Sequence, residues 1–186
     1  MRETYEAQHA ELERREQVEL AEFEPERLGA AITQPTLVLH DRVVVLDDLR
    51  QGHRGALPPS GAELVEADIA DRRALGEVFG RWRFEAVFHF AALSLVGESM
   101  RQPLRYCAEN VSNSLRLAEA AVEAGCLRFV LSSTAALFGD PERTPIDETA
   151  RLAPTSAYGD SKLMVERGLA WADGAHGLRS ACLRYF

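Results

Sequence analysis

The chain changes character at residue 43, where short apolar runs begin to alternate with longer segments whose apolar residues recur at helical spacing. The apolar runs predict strands at 43–47, 63–67, 86–91, 128–132 and 179–185. The periodic segments predict helices at 71–81, 103–124 and 157–172. Strands that are apolar on both faces and alternate with amphipathic helices are typical of a parallel sheet covered on both sides. The pattern therefore predicts an α/β, doubly wound parallel sheet, whose ligands bind beyond the carboxyl ends of the strands.

Residues 1–42 differ from the rest of the chain in charge and in apolar content. Residues 1–27 hold nine glutamates against four arginines, and their apolar residues are too sparse to form a strong helical stripe. Such a segment lacks apolar surface to bury, so we expect a polar helix or a disordered arm that ends at Pro25. A connector with one short apolar run at 37–39 follows. The pattern thus predicts an acidic N-terminal segment and connector at 1–42, and a folded domain at 43–186.

Composition narrows the classes of function. The 186 residues carry a formal net charge of −8, which disfavours binding to nucleic acid or to an anionic membrane. No apolar run approaches the roughly 20 residues that a membrane-spanning helix needs, and the N-terminus lacks the apolar stretch of a signal peptide. The three cysteines are scattered without metal-ligand spacing, so we expect free thiols and no metal site. These features predict a cytoplasmic protein.

The chain contains one lysine, Lys162, and twenty arginines. It follows Tyr158 by four residues in a predicted helix, and positions i and i+4 share one face of a helix. An ammonium is a more compact charge than a guanidinium. Held beside the Tyr158 phenol, it would favour the phenolate and make that group a usable base. From this pair alone, a surface lysine beside a half-buried tyrosine is an equally good interpretation.

The first predicted strand ends in two carboxylates, Asp47 and Asp48. A nucleotide-binding sheet places an acid at this point to bind the hydroxyls of the adenosine ribose. An acid also disfavours a 2′-phosphate, so these residues favour NAD over NADP. The alternative is a strand followed by a capping aspartate. At the next strand end, Asp68 and Ile69 are expected beside the adenine, with the Asp68 carboxylate accepting from its amino group.

The later strand ends carry small and hydroxyl side chains. Phe90, Ala91 and Ala92 end or follow the third predicted strand, and the two alanines would let a cofactor approach the backbone closely. His89 lies inside that strand, so a packed core histidine is favoured over a catalytic one. Residues 132–134 bring three hydroxyls to the end of the fourth strand, ahead of the third predicted helix.

Seven segments occur in an order and spacing that is found in one protein family. They are VVVLDDL at 43–49, ADI at 67–69, HFAALSLVGES at 89–99, ENV at 109–111, LSSTAALFGD at 131–140, YGDSKLMVE at 158–166 and LRYF at 183–186. On these segments, the chain from about residue 43 to residue 186 resembles the Rossmann-like, nucleotide-binding part of the extended short-chain dehydrogenase/reductases, the NAD-dependent epimerase/dehydratase family. Within that family it is most similar to the UDP-glucose 4-epimerase group.

The resemblance implies epimerisation at C4 of a UDP-hexose, UDP-glucose or UDP-galactose, by transient oxidation to a 4-keto sugar with NAD. By this resemblance Thr134, Tyr158 and Lys162 form the catalytic set. In the related nucleotide-sugar dehydratases an acidic pair follows the catalytic threonine. Ala135 and Ala136 follow it here, which favours the epimerase.

The resemblance also places Asn110 and Phe186 on cofactor-binding positions. Combined with the strand ends, the expected NAD-binding residues are Asp47, Asp48, Asp68, Ile69, Phe90, Ala91, Ala92, Asn110, Tyr158, Lys162 and Phe186. The expected substrate is a UDP-sugar.

Two departures from the family pattern qualify this assignment. The family begins with a strand leading into a glycine-rich turn that holds the cofactor pyrophosphate, and residues 1–42 contain no such GxxGxxG motif. The family also continues beyond the position of residue 186 into a smaller domain that binds the UDP-sugar. We therefore expect an incomplete Rossmann-like domain, lacking the first strand with its glycine-rich turn and the C-terminal substrate domain, and weakly active or inactive.

Other functions remain open at this point. One is a catalytically silent Rossmann-like scaffold or dimerisation fragment, forming a homodimer through the helices at 103–124 and 157–172. Another is a different nucleotide-sugar epimerase, dehydratase or decarboxylase of the same family.

Overall fold

The computed structural model describes residues 42–57 and 62–186. The acidic arm predicted at 1–27 and the apolar run at 37–39 lie outside the described residues. Among the residues that are described, no helix is long and apolar enough to cross a membrane.

The chain divides into two compact units. The larger unit comprises residues 45–54 and 64–186 and holds most of the described secondary structure. The described residues of the smaller unit are 42–44, 55–57 and 62–63. Within the smaller unit, the Arg42 guanidinium lies 3.0 Å from the Glu63 carboxylate.

All the predicted strands are present, with ends that differ from the prediction by at most two residues. The strands are β1 (Val43–Asp47), β2 (Ala62–Glu66), β3 (Val87–His89), β4 (Arg128–Ser132) and β5 (Arg179–Leu183). The α-helices of the described ranges are α1 (Arg72–Arg81), α2 (Val96–Arg101), α3 (Pro103–Tyr106), α4 (Asn113–Glu123) and α5 (Ala157–His176). Two 3-10 turns lie at Arg54–Ala56 and Ala135–Leu137, and a π turn lies at Cys107–Ser112.

Strands β3, β4 and β5 form a parallel sheet in that order. Its register aligns Val87 with Phe129, and Phe129 with Ser180. Parallel neighbours need a crossover connection, which α2 to α4 supply between β3 and β4, and α5 between β4 and β5. Strands β1 and β2 pair in a second sheet, and no hydrogen-bonded ladder joins the two sheets within the described ranges. The predicted α/β fold with a parallel sheet is confirmed.

The core of the larger unit lies where the helices cover the central strand β4. Three consecutive residues of β4, Phe129, Val130 and Leu131, are at most 6% exposed. Such burial on both faces explains why this strand is a continuous apolar run rather than an alternating one. The helices contribute the buried side chains of Leu75, Leu117, Val165 and Leu169 to the same cluster.

The predicted single helix at 103–124 is wrong in its middle. The structure has α3, then the π turn at Cys107–Ser112, then α4. A π turn adds one residue to a helical turn and is often found at functional sites. Here it lies at Asn110, whose side chain is 1% exposed. Two smaller differences are α2, which was not predicted, and α5, which continues to His176 instead of ending at residue 172.

Candidate active site

Helix α5 carries the predicted tyrosine–lysine pair close to its start. The start is fixed by Ser156, whose Oγ accepts a hydrogen bond from the Gly159 N–H at 3.1 Å. Lys162 lies one turn after Tyr158 and is 3% exposed, with its Nζ donating to the Ser132 carbonyl oxygen at 2.7 Å. The interpretation of Lys162 as a surface lysine is therefore wrong. The side chain joins the helix to the end of β4.

Burial governs the protonation of Lys162. It lowers the pKa of this ammonium from 10.5 to about 8, while the Cys182 thiol and the Glu166 carboxylate act in the opposite direction. At neutral pH the ammonium thus remains the major form, and its hydrogen bond to Ser132 holds it at one point. The structure therefore places a fixed cation on the residue one helical turn after Tyr158.

Thr134 lies in the loop that follows β4. It caps the 3-10 turn at Ala135–Leu137, and its Oγ1 accepts from the Ala136 N–H at 3.1 Å. Accepting this bond uses a lone pair of the oxygen, so the hydroxyl hydrogen remains a donor. The backbone beside Thr134 is held as well, because the Ser133 N–H donates to the Leu183 carbonyl at 2.8 Å.

A close backbone approach packs the Tyr158 turn against the Thr134 loop. A Cβ built on Gly159 would lie 2.5 Å from the Ala136 carbonyl oxygen and 3.1 Å from the Pro154 Cβ. Both neighbours are fixed parts of the fold, so a side chain at this position would force the segments apart. The glycine after Tyr158 thus allows the first turn of α5 to pack on the turn that follows Thr134.

Asn110 holds two segments of the site rather than pointing a free amide at a ligand. Its Oδ1 accepts from the Leu93 N–H at 2.8 Å, and its Nδ2 donates to the Leu93 carbonyl at 2.9 Å and to Ser161 Oγ at 3.1 Å. Ser161 Oγ in turn donates to the Tyr158 carbonyl at 2.7 Å. Both amide donors of this predicted cofactor-binding residue are therefore used inside the protein.

Tyr106 holds the same loop two residues further on. Its hydroxyl accepts from the Leu95 N–H at 3.1 Å and lies 2.8 Å from the Leu95 carbonyl and 3.1 Å from Glu98 Oε2. The Tyr106 side chain is fully buried, and burial, followed by the Glu98 hydrogen bond, raises the pKa of its hydroxyl. With Asn110, four residues later, it fastens the loop after β3 at two points.

His89 is part of the core, as predicted. It is 2% exposed, and its Nε2 lies 2.7 Å from Ser114 Oγ. Since the Ser114 hydroxyl donates its hydrogen to the Asn110 carbonyl, His89 is the donor in this pair. Burial, with a smaller effect of the nearby Lys162 charge, lowers the pKa of His89 to about 3. The imidazole is therefore neutral at physiological pH.

The carboxyl ends of β1 and β2 meet around Arg50. Its guanidinium pairs with the Asp48 carboxylate and lies 3.1 Å from Asp68 Oδ2 and 3.7 Å from Glu109 Oε2. Burial raises the pKa of Asp48, but the hydrogen bonds from Arg50 outweigh it and the pKa lies below its ordinary value. The structure thus brings the predicted residues Asp48 and Asp68 together through an arginine that the sequence analysis did not include.

Asp47 has a different environment from its neighbour. Its Oδ1 accepts from the Leu49 N–H at 2.7 Å. A Cβ built on Gly52 would lie 2.8 Å from Asp47 Oδ2 and 2.9 Å from Oδ1. The glycine therefore leaves room for the carboxylate in its observed position.

Comparison with known proteins assigns the chain to a family. The sequence profile of the NAD dependent epimerase/dehydratase family matches residues 27–186. The chain belongs to this family. The match begins ahead of residue 43, where the sequence analysis placed the start of the resemblance.

Several similar proteins of this epimerase/dehydratase family are named UDP-glucose 4-epimerase. The enzyme of Lacticaseibacillus casei is 42% identical over 159 residues, which cover 86% of this chain and 48% of the relative. The solved structure from Brucella ovis, in complex with NAD, has 37% identity and a TM-score of 0.76 over 79% of this chain and 45% of that one. The structure from Thermotoga maritima, with UDP-glucose, has 33% identity and a TM-score of 0.75 over 78% of this chain and 48% of that one. The chain spans about half the length of these relatives.

The residues at the β1 end fit the cofactor for which the family is named. A nucleotide-binding sheet uses a carboxylate at the end of this strand for the ribose hydroxyls, and Gly52 leaves room for the Asp47 carboxylate in its observed position. The remaining expected NAD-binding residues near the strand ends vary in exposure. Phe90, Ala91 and Phe186 are exposed, and Ile69 and Ala92 are half-buried. The Phe186 ring stacks on Phe138, with centroids 6.2 Å apart.

The sequence did not predict the residues that hold the segments of this epimerase/dehydratase site together. Gly159 and Tyr106 hold its segments together, and Ser133 and Arg184 both donate hydrogen bonds to Glu166, one turn after Lys162. For Glu166 a signal was available, because it follows Lys162 by four residues on the same predicted helix. The other contacts depend on pairings between distant segments that no local pattern records.

Proposed function

We propose that this chain supplies the catalytic, NAD-binding half of an epimerase that inverts C4 of a UDP-hexose. The observation that carries the proposal is the junction of β4, the Thr134 loop and helix α5. There Lys162 is buried against the Ser132 carbonyl and Tyr158 lies one turn away. Thr134 lies in the loop that packs on the Gly159 turn. A base, a fixed cation and a hydroxyl donor are the groups that oxidation of a secondary alcohol requires.

Each of the three residues has defined roles in the proposed mechanism. Tyr158, as phenolate, takes the proton from the 4-hydroxyl, and Thr134 donates its hydroxyl hydrogen to the oxygen that becomes the carbonyl. Lys162 stabilises the phenolate and holds the nicotinamide ribose by its ammonium. When bound, NAD would accept the C4 hydride and return it. After the 4-keto sugar turns over, Tyr158 returns the proton, so the second half-reaction reverses the first on the opposite face.

Asp47 is proposed to bind the adenosine ribose, with Asp48 and Asp68 beside it. Ile69, Phe90, Ala91 and Ala92 would line the cofactor at the strand ends, and Phe186 would lie near the nicotinamide. Asn110 would act through the Leu93 loop that it holds. The relatives named as UDP-glucose 4-epimerases support UDP-glucose and UDP-galactose as the substrate pair.

The test is a chimera in which residues 43–186 replace the matching segment of the Lacticaseibacillus casei relative. We expect the chimera to bind NAD in a calorimetric titration and to convert UDP-galactose to UDP-glucose. The 186-residue chain spans about half of that relative, and remote binding energy positions a substrate, so we expect much slower conversion by the chain itself. A folded chimera that binds NAD but does not convert UDP-galactose would contradict the proposal.

A second candidate is a dimerisation module, favoured by exposed apolar side chains on the helices. Leu104 on α3 is 83% exposed and Trp171 on α5 is 70% exposed. Exposed apolar side chains mark a protein interface where they form one contiguous patch. We propose a homodimer through these helices, and light scattering after size exclusion tests it. Leu104→Glu with Trp171→Glu should give a monomer, and an unchanged mass would contradict the interface.

A further inference from the structure

Glu166 lies one turn beyond Lys162 on α5, and its side chain is 9% exposed. Its carboxylate is fully engaged. Ser133 Oγ donates to Oε1 at 2.5 Å, and the Arg184 guanidinium binds both oxygens, with Nε 3.2 Å from Oε1 and Nη2 2.7 Å from Oε2. A two-point arginine contact fixes the orientation of a carboxylate as well as its place.

The partners of Glu166 belong to the two segments that frame the Thr134 loop. Ser133 directly precedes Thr134, and Arg184 directly follows β5. The same two segments are joined by backbone bonds, from the Ser133 N–H to the Leu183 carbonyl at 2.8 Å and from the Ala135 N–H to the Tyr185 carbonyl at 2.7 Å. Glu166 therefore links the helix of Tyr158 and Lys162 to the loop of Thr134.

Glu166 also contributes to the electrostatic environment of Lys162, after burial and Cys182. The titratable groups near the Lys162 ammonium are His89 on β3, Cys182 on β5, and Tyr158 and Glu166, one turn before and one turn after it on its own helix. His89 is neutral, because its pKa is lowered to about 3. Burial lowers the pKa of Lys162, and Cys182 and Glu166 partly oppose it. Glu166 is the carboxylate of this set, so it is the group whose charge can be removed by a nearly isosteric change.

We propose that Glu166 is a positioning residue of this site. Its carboxylate fastens the Thr134 loop and the end of β5 to α5, and it holds a negative charge one helical turn from the Lys162 ammonium. The catalytic consequence rests on the proposed function, whereas the charge coupling does not.

Because the chain contains a single lysine, the effect of Glu166 on the pKa of Lys162 can be measured directly. Lys162 is the one lysine among 186 residues, so protein grown with ¹³C-lysine gives a single lysine side-chain signal. Its chemical shift against pH measures the pKa of Lys162 in the full chain, without NAD or substrate. We expect a midpoint near pH 8.

The variant is Glu166→Gln, which keeps an acceptor for Ser133 and removes the charge. We expect the midpoint to fall by about half a unit or more. The matched control is Asp173→Asn, because Asp173 also joins α5 to β5, through Arg179 at 3.3 Å. Asp173 lies about 16 Å further along the helix axis than Lys162, so its removal should leave the midpoint in place. A midpoint that Glu166→Gln moves no more than Asp173→Asn would overturn the proposal.

A second variant has the opposite expected sign. Arg184→Gln removes the cation that faces Glu166, so the carboxylate acts more strongly on Lys162 and the midpoint should rise. This variant decides the question if Glu166→Gln does not fold, and an unchanged or lower midpoint would reject the coupling.

The chimera separates this inference from the proposed function. Glu166→Gln in the chimera should shift the alkaline limb of the pH–rate profile to lower pH, as a lost ammonium would. An inactive chimera with shifted midpoints would reject the epimerase and keep the role of Glu166. An active chimera with unshifted midpoints would support the epimerase and reject the role of Glu166.

Discussion

The two polar centres of the larger unit hold their charges in opposite ways. At the end of β4, one ammonium is 3% exposed and bonded to a backbone carbonyl, and the carboxylate behind it is bound at two points by an arginine. At the ends of β1 and β2, the Arg50 side chain is 55% exposed among carboxylates that also reach solvent. Buried charges interact strongly and depend on the fold, whereas exposed ion pairs contribute little and adjust readily. We therefore expect chemistry at the first centre and adaptable binding at the second.

The largest expected effect is at the buried centre. Tyr158→Phe in the chimera removes the base without disturbing the turn, so turnover should fall about 10²–10⁴-fold. NAD affinity should change little, since the phenol hydroxyl is one contact among many. Steady-state rates and calorimetry measure the two quantities. Retention of more than about a tenth of the activity would show that another group is the base.

Lys162 should make stability depend on pH in a defined window. Its pKa in the folded chain, about 8, lies below the ordinary 10.5, so the unfolded chain holds more protons between these values. The free energy of unfolding should therefore rise from pH 8 to pH 10.5, by about 3 kcal/mol from this group. Urea unfolding across the window measures it. Lys162→Met should lack the rise, and its persistence in that variant would contradict a buried ammonium.

Gly159→Ala should loosen the packing that joins the Tyr158 turn to the Thr134 loop. Its Cβ would lie 2.5 Å from the Ala136 carbonyl oxygen, and overpacking of this kind costs about 1–3 kcal/mol. Gly174→Ala is the control, because Gly174 is on the same helix and a Cβ there meets nothing within 4 Å. The control should stabilise by up to about 1 kcal/mol. Equal effects of both substitutions in urea unfolding would show that the close approach is unimportant.

The smallest effect is expected at the exposed centre. Arg50→Ala should change the free energy of unfolding by less than about 1 kcal/mol, and the difference should shrink as salt is added. Unfolding at low and at 1 M salt measures it. A larger, salt-independent loss would place Arg50 among the structural residues and remove the contrast between the two centres.

These two centres also differ in how far sequence could predict them. The apolar run of β4 and the i, i+4 spacing of Tyr158 and Lys162 are local patterns, and both were predicted. The Ser133–Glu166–Arg184 contacts join residues from three segments, so only the folded chain shows them. The π turn at Cys107–Ser112 was not predicted for another reason, since it runs directly from α3 into α4 without a break between them.

The most direct test of the central claim follows the hydrogen at C4. UDP-galactose carrying deuterium at C4 is converted by the chimera of residues 43–186, and the UDP-glucose product is examined by mass spectrometry and NMR. Because the hydride that leaves C4 is returned to C4, the product should keep its deuterium, and Tyr158→Phe should slow its formation about 10²–10⁴-fold. Product that has lost the deuterium to solvent, or that forms equally well without the Tyr158 hydroxyl, would contradict this mechanism.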